Sequence, residues 1–180
     1  MATLYHETSP RIHGEPIDVT FRPVLKAHRG ALRSGKSEKG TDVHAASFLR
    51  RRRIVLDSEL RRRPAELARI FTHELFHFVW LRLGNPARRS WEELLNREFS
   101  RRSRGELGWS AESIKEKLAA KDRKERTRLW RSYTCESFCD SAAWLFYARP
   151  DHAEFTLNIR ARARRRRWFR RMGLTRQISV

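Results

Sequence analysis

Long apolar runs are missing from this sequence. No window approaches the roughly 18 apolar residues that a membrane-crossing helix requires. The opening stretch, MATLYHETSPRIHGEP, carries no apolar signal-peptide core, so a cytoplasmic protein without membrane attachment is expected. Cysteine is scarce too. Cys135 and Cys139 are the whole supply, fewer than a secreted chain of this size would often use. Negative charge is in short supply, with 21 acidic residues against 40 basic ones and a net charge of +19. Helix-turn-helix patterning, zinc-finger spacing, RNA-recognition motifs and internal repeats are all absent.

What is present is enough for one domain with a proper core: 180 residues, including six Trp, three Tyr and ten Phe. Most of the basic residues are arginine, and they come in runs at 50–53, 61–63 and 160–171. Clustered arginine with an interleaved aromatic suits phosphates and bases, which makes nucleic acid a possible partner. A solvated face or an arginine-rich coding bias gives the same pattern.

Residues 17–25 alternate Ile17, Val19 and Phe21 with polar neighbours, as a half-buried strand does, and Pro23 argues for an edge or a strand end. Residues 34–42 read as a loop. AASFLR and RRIVLDSEL follow as two short strands, with the basic run between or within them. The spacing then predicts a helix over 64–83, started by Pro64 and stopped by Gly84 and Pro86. Its second half is apolar nearly all round, as in a central helix. A second helix is expected from Ser90, where Glu93 completes a capping box, and a third from Ser110. A longer one covers about 125–148 and is ended by Pro150. Residues 151–180 form a basic extension to a domain of residues 1–150. It reads either as a helix packed by Trp168, Phe169 and Met172 or as a loose tail.

Chemistry concentrates in IFTHELFHFVWLRLG, residues 70–84. Three titratable groups among aromatic and aliphatic neighbours are costly to bury unless something binds them. On a helix His73 and His77 stand one turn apart on one face, as two zinc ligands must. Glu74 is rotated about 100° from His73, placed to take a proton from a water on that zinc. HExxH arises by chance in roughly 2% of chains of this composition, so coincidence is a poor account of it. The competing account is a pair of core histidines bonded to backbone carbonyls.

A zinc site also needs a third protein ligand. None of the remaining histidines extends the motif as HExxHxxGxxH. Glu92, Glu93 and Glu98 offer carboxylates, but Glu93 has the capping role and the others read as a solvated face. Glu136 is the better third ligand, with Asp140 one turn on to accept a hydrogen bond from a metal-bound histidine. The alternative is a surface acidic pair answering Arg128 or Arg131. Cys135 and Cys139, also four apart, could bind a metal themselves, but with no further cysteine they read as small buried apolar residues.

HELFH followed by ESFCD resembles the HExxH…ExxxD arrangement of gluzincin metallopeptidases, the thermolysin-like clan. RRIVLDSELRRRPAELARIFTHELFHF is similar to the ImmA/IrrE-like branch, where a short strand precedes the motif helix. The chain departs by placing His73 directly after Thr72 and by separating His77 from Glu136 by 59 residues. The resemblance implies an α+β, zincin-like fold: a small twisted sheet on the HExxH helix and a predominantly helical C-terminal half. AASFLR or RRIVLD would be the edge strand for an extended peptide. It implies a zinc-dependent metallopeptidase acting on a peptide or protein. Zn²⁺ would be held by His73, His77 and Glu136, with Glu74 as general base and Asp140 behind His73. Tyr133, Tyr147 and His152 are candidate oxyanion donors. The rival expectation is a basic nucleic-acid- or partner-binding protein with a structural or relic zinc site.

Overall fold

The computed structural model describes residues 9–29, 31–36, 39–147 and 152–180. Strands occupy the first third: β1 (Arg11–His13), β2 (Asp18–Arg22), β3 (Leu25–His28), β4 (Ala31–Ser34), β5 (Thr41–Asp42), β6 (Ala45–Phe48) and β7 (Arg53–Asp57). Helices follow: α1 (Pro64–Arg82), α2 (Asn85–Ser100), α3 (Trp109–Lys115), α4 (Ala120–Glu125), α5 (Arg128–Phe146) and α6 (Ile159–Arg171), before a last strand, β8 (Gln177–Ser179). The described residues make an α+β fold of three small sheets and six α-helices. None of those helices is long and apolar enough to cross a membrane.

The sheet beside α1 has the order β2-β7-β6. Central β7 buries Ile54, Val55 and Leu56 in succession, because both its neighbours and α1 cover it. It runs parallel to β2 and antiparallel to β6, so AASF is the edge strand and RIVLD is not. The first three arginines of the 50–53 run fall in the β6–β7 connection, a 3₁₀ turn over Leu49–Arg51 closed by Arg52 in the left-handed region (φ 46°), and Arg53 opens β7. Residues 17–25 do not form one strand. Pro23 cannot donate to a ladder, and β2 stops before it; Val24 turns with φ 49° and β3 opens a second sheet, β4-β3-β5. The segment expected as a loop over 34–42 therefore contributes its ends to β4 and β5.

α1 starts at Pro64 as expected, and Asp57 caps the 3₁₀ turn before it by accepting from Glu59 N (2.9 Å). Its second half is not apolar-buried all round, since Leu81 is 52% exposed. The second helix begins at Asn85, not Ser90. Extended Gly84 and Pro86 in the first turn suit an earlier start, while Ser90 Oγ donates to Ala87 O and accepts from Trp168 Nε1. Glu93 faces solvent and pairs loosely with Arg97 (3.8 Å). Arg88 reaches back to cap α1, donating to the Trp80 and Leu81 carbonyls (2.8 and 2.9 Å from Nη2). α5 is capped by Thr127; Pro150, expected to end it, lies outside the described residues.

The described part of basic segment 151–180 carries α6 and β8, and it joins the main core. Trp168 and Phe169 are buried with Phe76, Trp91 and Phe138, drawing α1, α2, α5 and α6 together. Arg165 is fully buried. Its guanidinium donates to Glu98 (2.8 Å) and Glu106 (2.7 Å), and Tyr133 donates to Glu106 as well. Burial alone would push Glu106 up, but Arg165 and Lys115 hold its carboxyl below the ordinary range. Removing one partner of such a buried network leaves an uncompensated charge. Arg165→Met is therefore expected to lower stability by about 3–5 kcal/mol, read as a fall in the urea midpoint. Adding Glu98→Gln should recover part of that loss.

Candidate metal centre

The centre is built where α1 packs along α5 under the edge strand β6. Helical spacing puts His73 and His77 on one face of α1, and α5 presents Glu136 and Asp140 to them. His73 Nε2 lies 3.2 Å from His77 Nε2 and 3.2 Å from Glu136 Oε2, and His77 Nε2 lies 3.9 Å from Glu136 Oε1. Bonds of about 2.0–2.1 Å to a tetrahedral zinc place neighbouring ligand atoms roughly 3.3–3.4 Å apart. The two separations from His73 match that requirement, the one from His77 to the other Glu136 oxygen is wider, and the chemistry of the set, two imidazoles and a carboxylate, suits the ion. Glu136 and Asp140 thus face the histidines; Arg128 and Arg131 do not engage them.

Asp140, 2% exposed, accepts from His73 Nδ1 (2.8 Å) and from Ala111 N (2.9 Å). Holding the proton on Nδ1 leaves the Nε2 lone pair turned toward His77 and Glu136. Burial would depress His73, yet Asp140, with Glu136 and Glu74, outweighs it and holds the imidazole well above its ordinary value. Glu136 is pushed up by burial and pulled down further by the two histidines, so it stays below the ordinary carboxylate range. On the other ring, His77 Nδ1 stands 3.5 Å from Cys135 Sγ. The neighbouring Cys139 thiol and His77 bring Cys135 down to about 6 against the effect of burial, whereas burial pushes Cys139 well up.

Several residues of the cleft were not singled out from sequence. Ser47 on β6 donates to Glu74 Oε2 (2.6 Å), fixing the carboxylate toward the cleft. A cavity of about 290 Å³ borders His73, Glu74, His77 and Glu136, walled by Ser47 and Ser110. A second, of about 400 Å³, adjoins Glu74 and His73 and is lined by Val43, Ala45, Ile70 and Trp109. Arg69, held by Glu66 and Glu154, closes one side of it. Trp109 is 67% exposed at the rim, and the only trace of it in the sequence is a tryptophan next to Gly108 in GELGWS. Gly108 lets the chain pass directly over Asp140, since a Cβ there would lie 2.3 Å from the carboxylate carbon.

Other expectations are redrawn. Glu92 and Glu98 are buried and not a solvated face: Glu92 takes a two-pronged bond from Arg126 and Glu98 meets Arg165. Tyr133 is bound to Glu106, Tyr147 packs on His152 and Phe155, and His152 pairs with Glu66 (3.2 Å). None of the three lines either cavity; His44 and Ser110 do. Away from the cleft, Arg97, Arg164, Arg167, Arg170 and Arg171 surround a shallow trough of about 440 Å³ over Leu94 and Trp168. No protein-family model, no curated protein and no solved structure matches the chain.

Gly108→Ala is expected to displace Asp140 with the helix content unchanged and, at a centre that takes up zinc, to weaken that uptake about 10–100-fold, measured by zinc titration and circular dichroism. A pH effect follows from His73. In the metal-free folded chain its imidazole keeps its proton well above the pH near 6.5 where the unfolded chain releases it. That stabilisation is complete below about 6.5 and is lost as pH climbs through the folded value. The urea midpoint of chelator-treated protein should fall over that window, and Asp140→Asn should flatten the fall.

Proposed function

We propose that the chain is a cytoplasmic zinc-dependent peptidase. The observation that supports the reading is the meeting of His73, His77 and Glu136 at zinc-ligand spacing with Glu74 beside them under a sheet edge. His73, His77 and Glu136 would hold the ion. Bound zinc supplies Lewis acidity toward a carbonyl oxygen and lowers the pKa of water to about 7.

The protein's own groups supply the rest. β6 offers backbone donors and acceptors to an extended peptide by strand addition. Side chains flanking the scissile bond enter the cavities on either side of Glu74. Glu74 takes the proton of the attacking water and delivers it to the departing amine. Ser47 keeps that carboxylate aimed, and Asp140 keeps His73 in the tautomer that coordinates. Ser110 and His44, on the cleft walls, are candidate donors to an oxyanion. Free cysteines at the centre suit a reducing compartment.

A second reading draws on the arginine trough, which has the charge to hold a nucleic-acid backbone. One pair of proteins separates the two. Glu74→Gln should keep its zinc and lose about 10²–10⁴-fold in hydrolysis of a generic peptide library. Equal hydrolysis by both proteins sinks the enzymatic reading. Tight, salt-sensitive DNA binding by both, without hydrolysis by either, favours the binding module.

A further inference from the structure

The two ring nitrogens of His77 face different donor sets. Nε2 belongs with His73 and Glu136, while Nδ1 stands 3.5 Å from Cys135 Sγ. Cys139, one helical turn along α5, brings its sulfur to the same place; the ligand atoms of His77, Cys135 and Cys139 all lie within 4.8 Å of one another. We propose that His77, Cys135 and Cys139 form a second metal position, next to the first and sharing the His77 imidazole, which takes a thiophilic divalent ion such as zinc.

Distances carry the first part of the argument. Zinc bonds of about 2.0 Å to nitrogen and 2.3 Å to sulfur, at a tetrahedral angle, set nitrogen and sulfur roughly 3.5 Å apart. That is the separation between Nδ1 and Cys135 Sγ. The ligand pattern carries the second. Cys135 and Cys139 repeat on α5 the i, i+4 spacing by which α1 presents its two histidines, so two adjacent helix faces converge on one point. Both thiols are free, Cys139 is buried and Cys135 half-buried, which limits competition from bulk water.

Charge carries the third. Two divalent ions bring four positive charges. Filling the second position releases to solvent the protons of both thiols and of His77 Nδ1. Glu136, two thiolates and a bridging imidazolate then supply four negative charges. A soft thiolate pair beside a carboxylate–imidazole set also sorts ions by type: the sulfurs take zinc, cobalt or cadmium and reject magnesium and calcium. The inference shares a ligand with the hydrolytic centre but does not depend on that centre being active.

Cobalt(II) titration under reducing conditions tests it, because thiolate-bound cobalt has a near-ultraviolet charge-transfer band that imidazole- and carboxylate-bound cobalt lacks. Wild type should bind two ions per chain, one of them bringing the band. Cys135→Ser/Cys139→Ser should bind one ion without the band, with unchanged circular dichroism. Cys135→Ala alone serves the same comparison if the double variant does not fold. His73→Gln/Glu136→Gln should bind one ion and keep the band. Saturation of wild type without the band overturns the proposal. So does a band from a single ion that His73→Gln/Glu136→Gln also loses. A protein that shows the band yet hydrolyses no peptide would remove the enzymatic reading and leave this one standing.

Discussion

The carboxylate of Asp140 ties together three segments that are distant in sequence. It accepts from His73 on α1 and from Ala111 at the head of α3, and it stands against Gly108 with no room for a side chain between. A carboxylate buried this deeply costs several kcal/mol unless each oxygen is satisfied, so the three partners must arrive together. Their arrival fixes the HExxH helix against α5, turns Nε2 of His73 toward its co-ligands and brings Trp109 and Ser110 to the wall of the cleft. The shape of the centre is thus set by ordinary packing and hydrogen bonding between helices. The close spacing of His73, His77 and Glu136 is a consequence of that packing.

The same reasoning gives part of the arginine excess a structural use. A planar guanidinium with five donors satisfies paired carboxylates or stacked carbonyls that a lysine would only approach as a point charge. Arg165 closes a buried network with Glu98 and Glu106, and Arg69 joins Glu66 to Glu154 beside the larger cavity. Arg126 holds Glu92, Arg88 caps α1, and Arg162 donates to the carbonyls of Phe155 and Leu157. What remains outside these contacts is still strongly positive. It gathers along α6 and the end of α2, where α6 turns Trp168 and Phe169 inward and leaves Arg160, Arg167, Arg170 and Arg171 exposed.

How much of this was legible in the sequence depends on whether a feature is local. α1 was, because Pro64, the apolar run and the HELFH spacing are all set within one helix. The pairing of Glu136 and Asp140 with the histidines was legible too, since i, i+4 spacing defines a face wherever the helix is docked. The start of α2 was misread because SWEE has the form of a capping box, and only tertiary contact shows Ser90 turned toward Trp168. Glu92 and Glu98 looked solvated because their partners, Arg126 and Arg165, are 34 and 67 residues away. Burial of a charge is decided by its counter-ion, and a counter-ion so remote leaves no periodic trace. Ser47 was hidden for the same reason: a serine on a short strand gains its meaning only when β6 is laid over Glu74.

The centre also has an asymmetry that follows from helix geometry. Cys135 and Glu136 are adjacent on α5 and therefore point about 100° apart, and one turn later Cys139 and Asp140 repeat the offset. One edge of the helix thus offers two carboxylates and the next offers two sulfurs. His73 meets the carboxylate edge, where Asp140 holds its Nδ1 proton and makes Nε2 a more basic donor. His77 meets the sulfur edge, where its Nδ1 has a soft, polarizable neighbour at longer range. The two histidines of one motif are consequently unequal. Their difference is written in the phase of α5: rotating that helix by a single residue would bring the sulfurs to His73 in place of the carboxylates, or the carboxylates to His77 in place of the sulfurs.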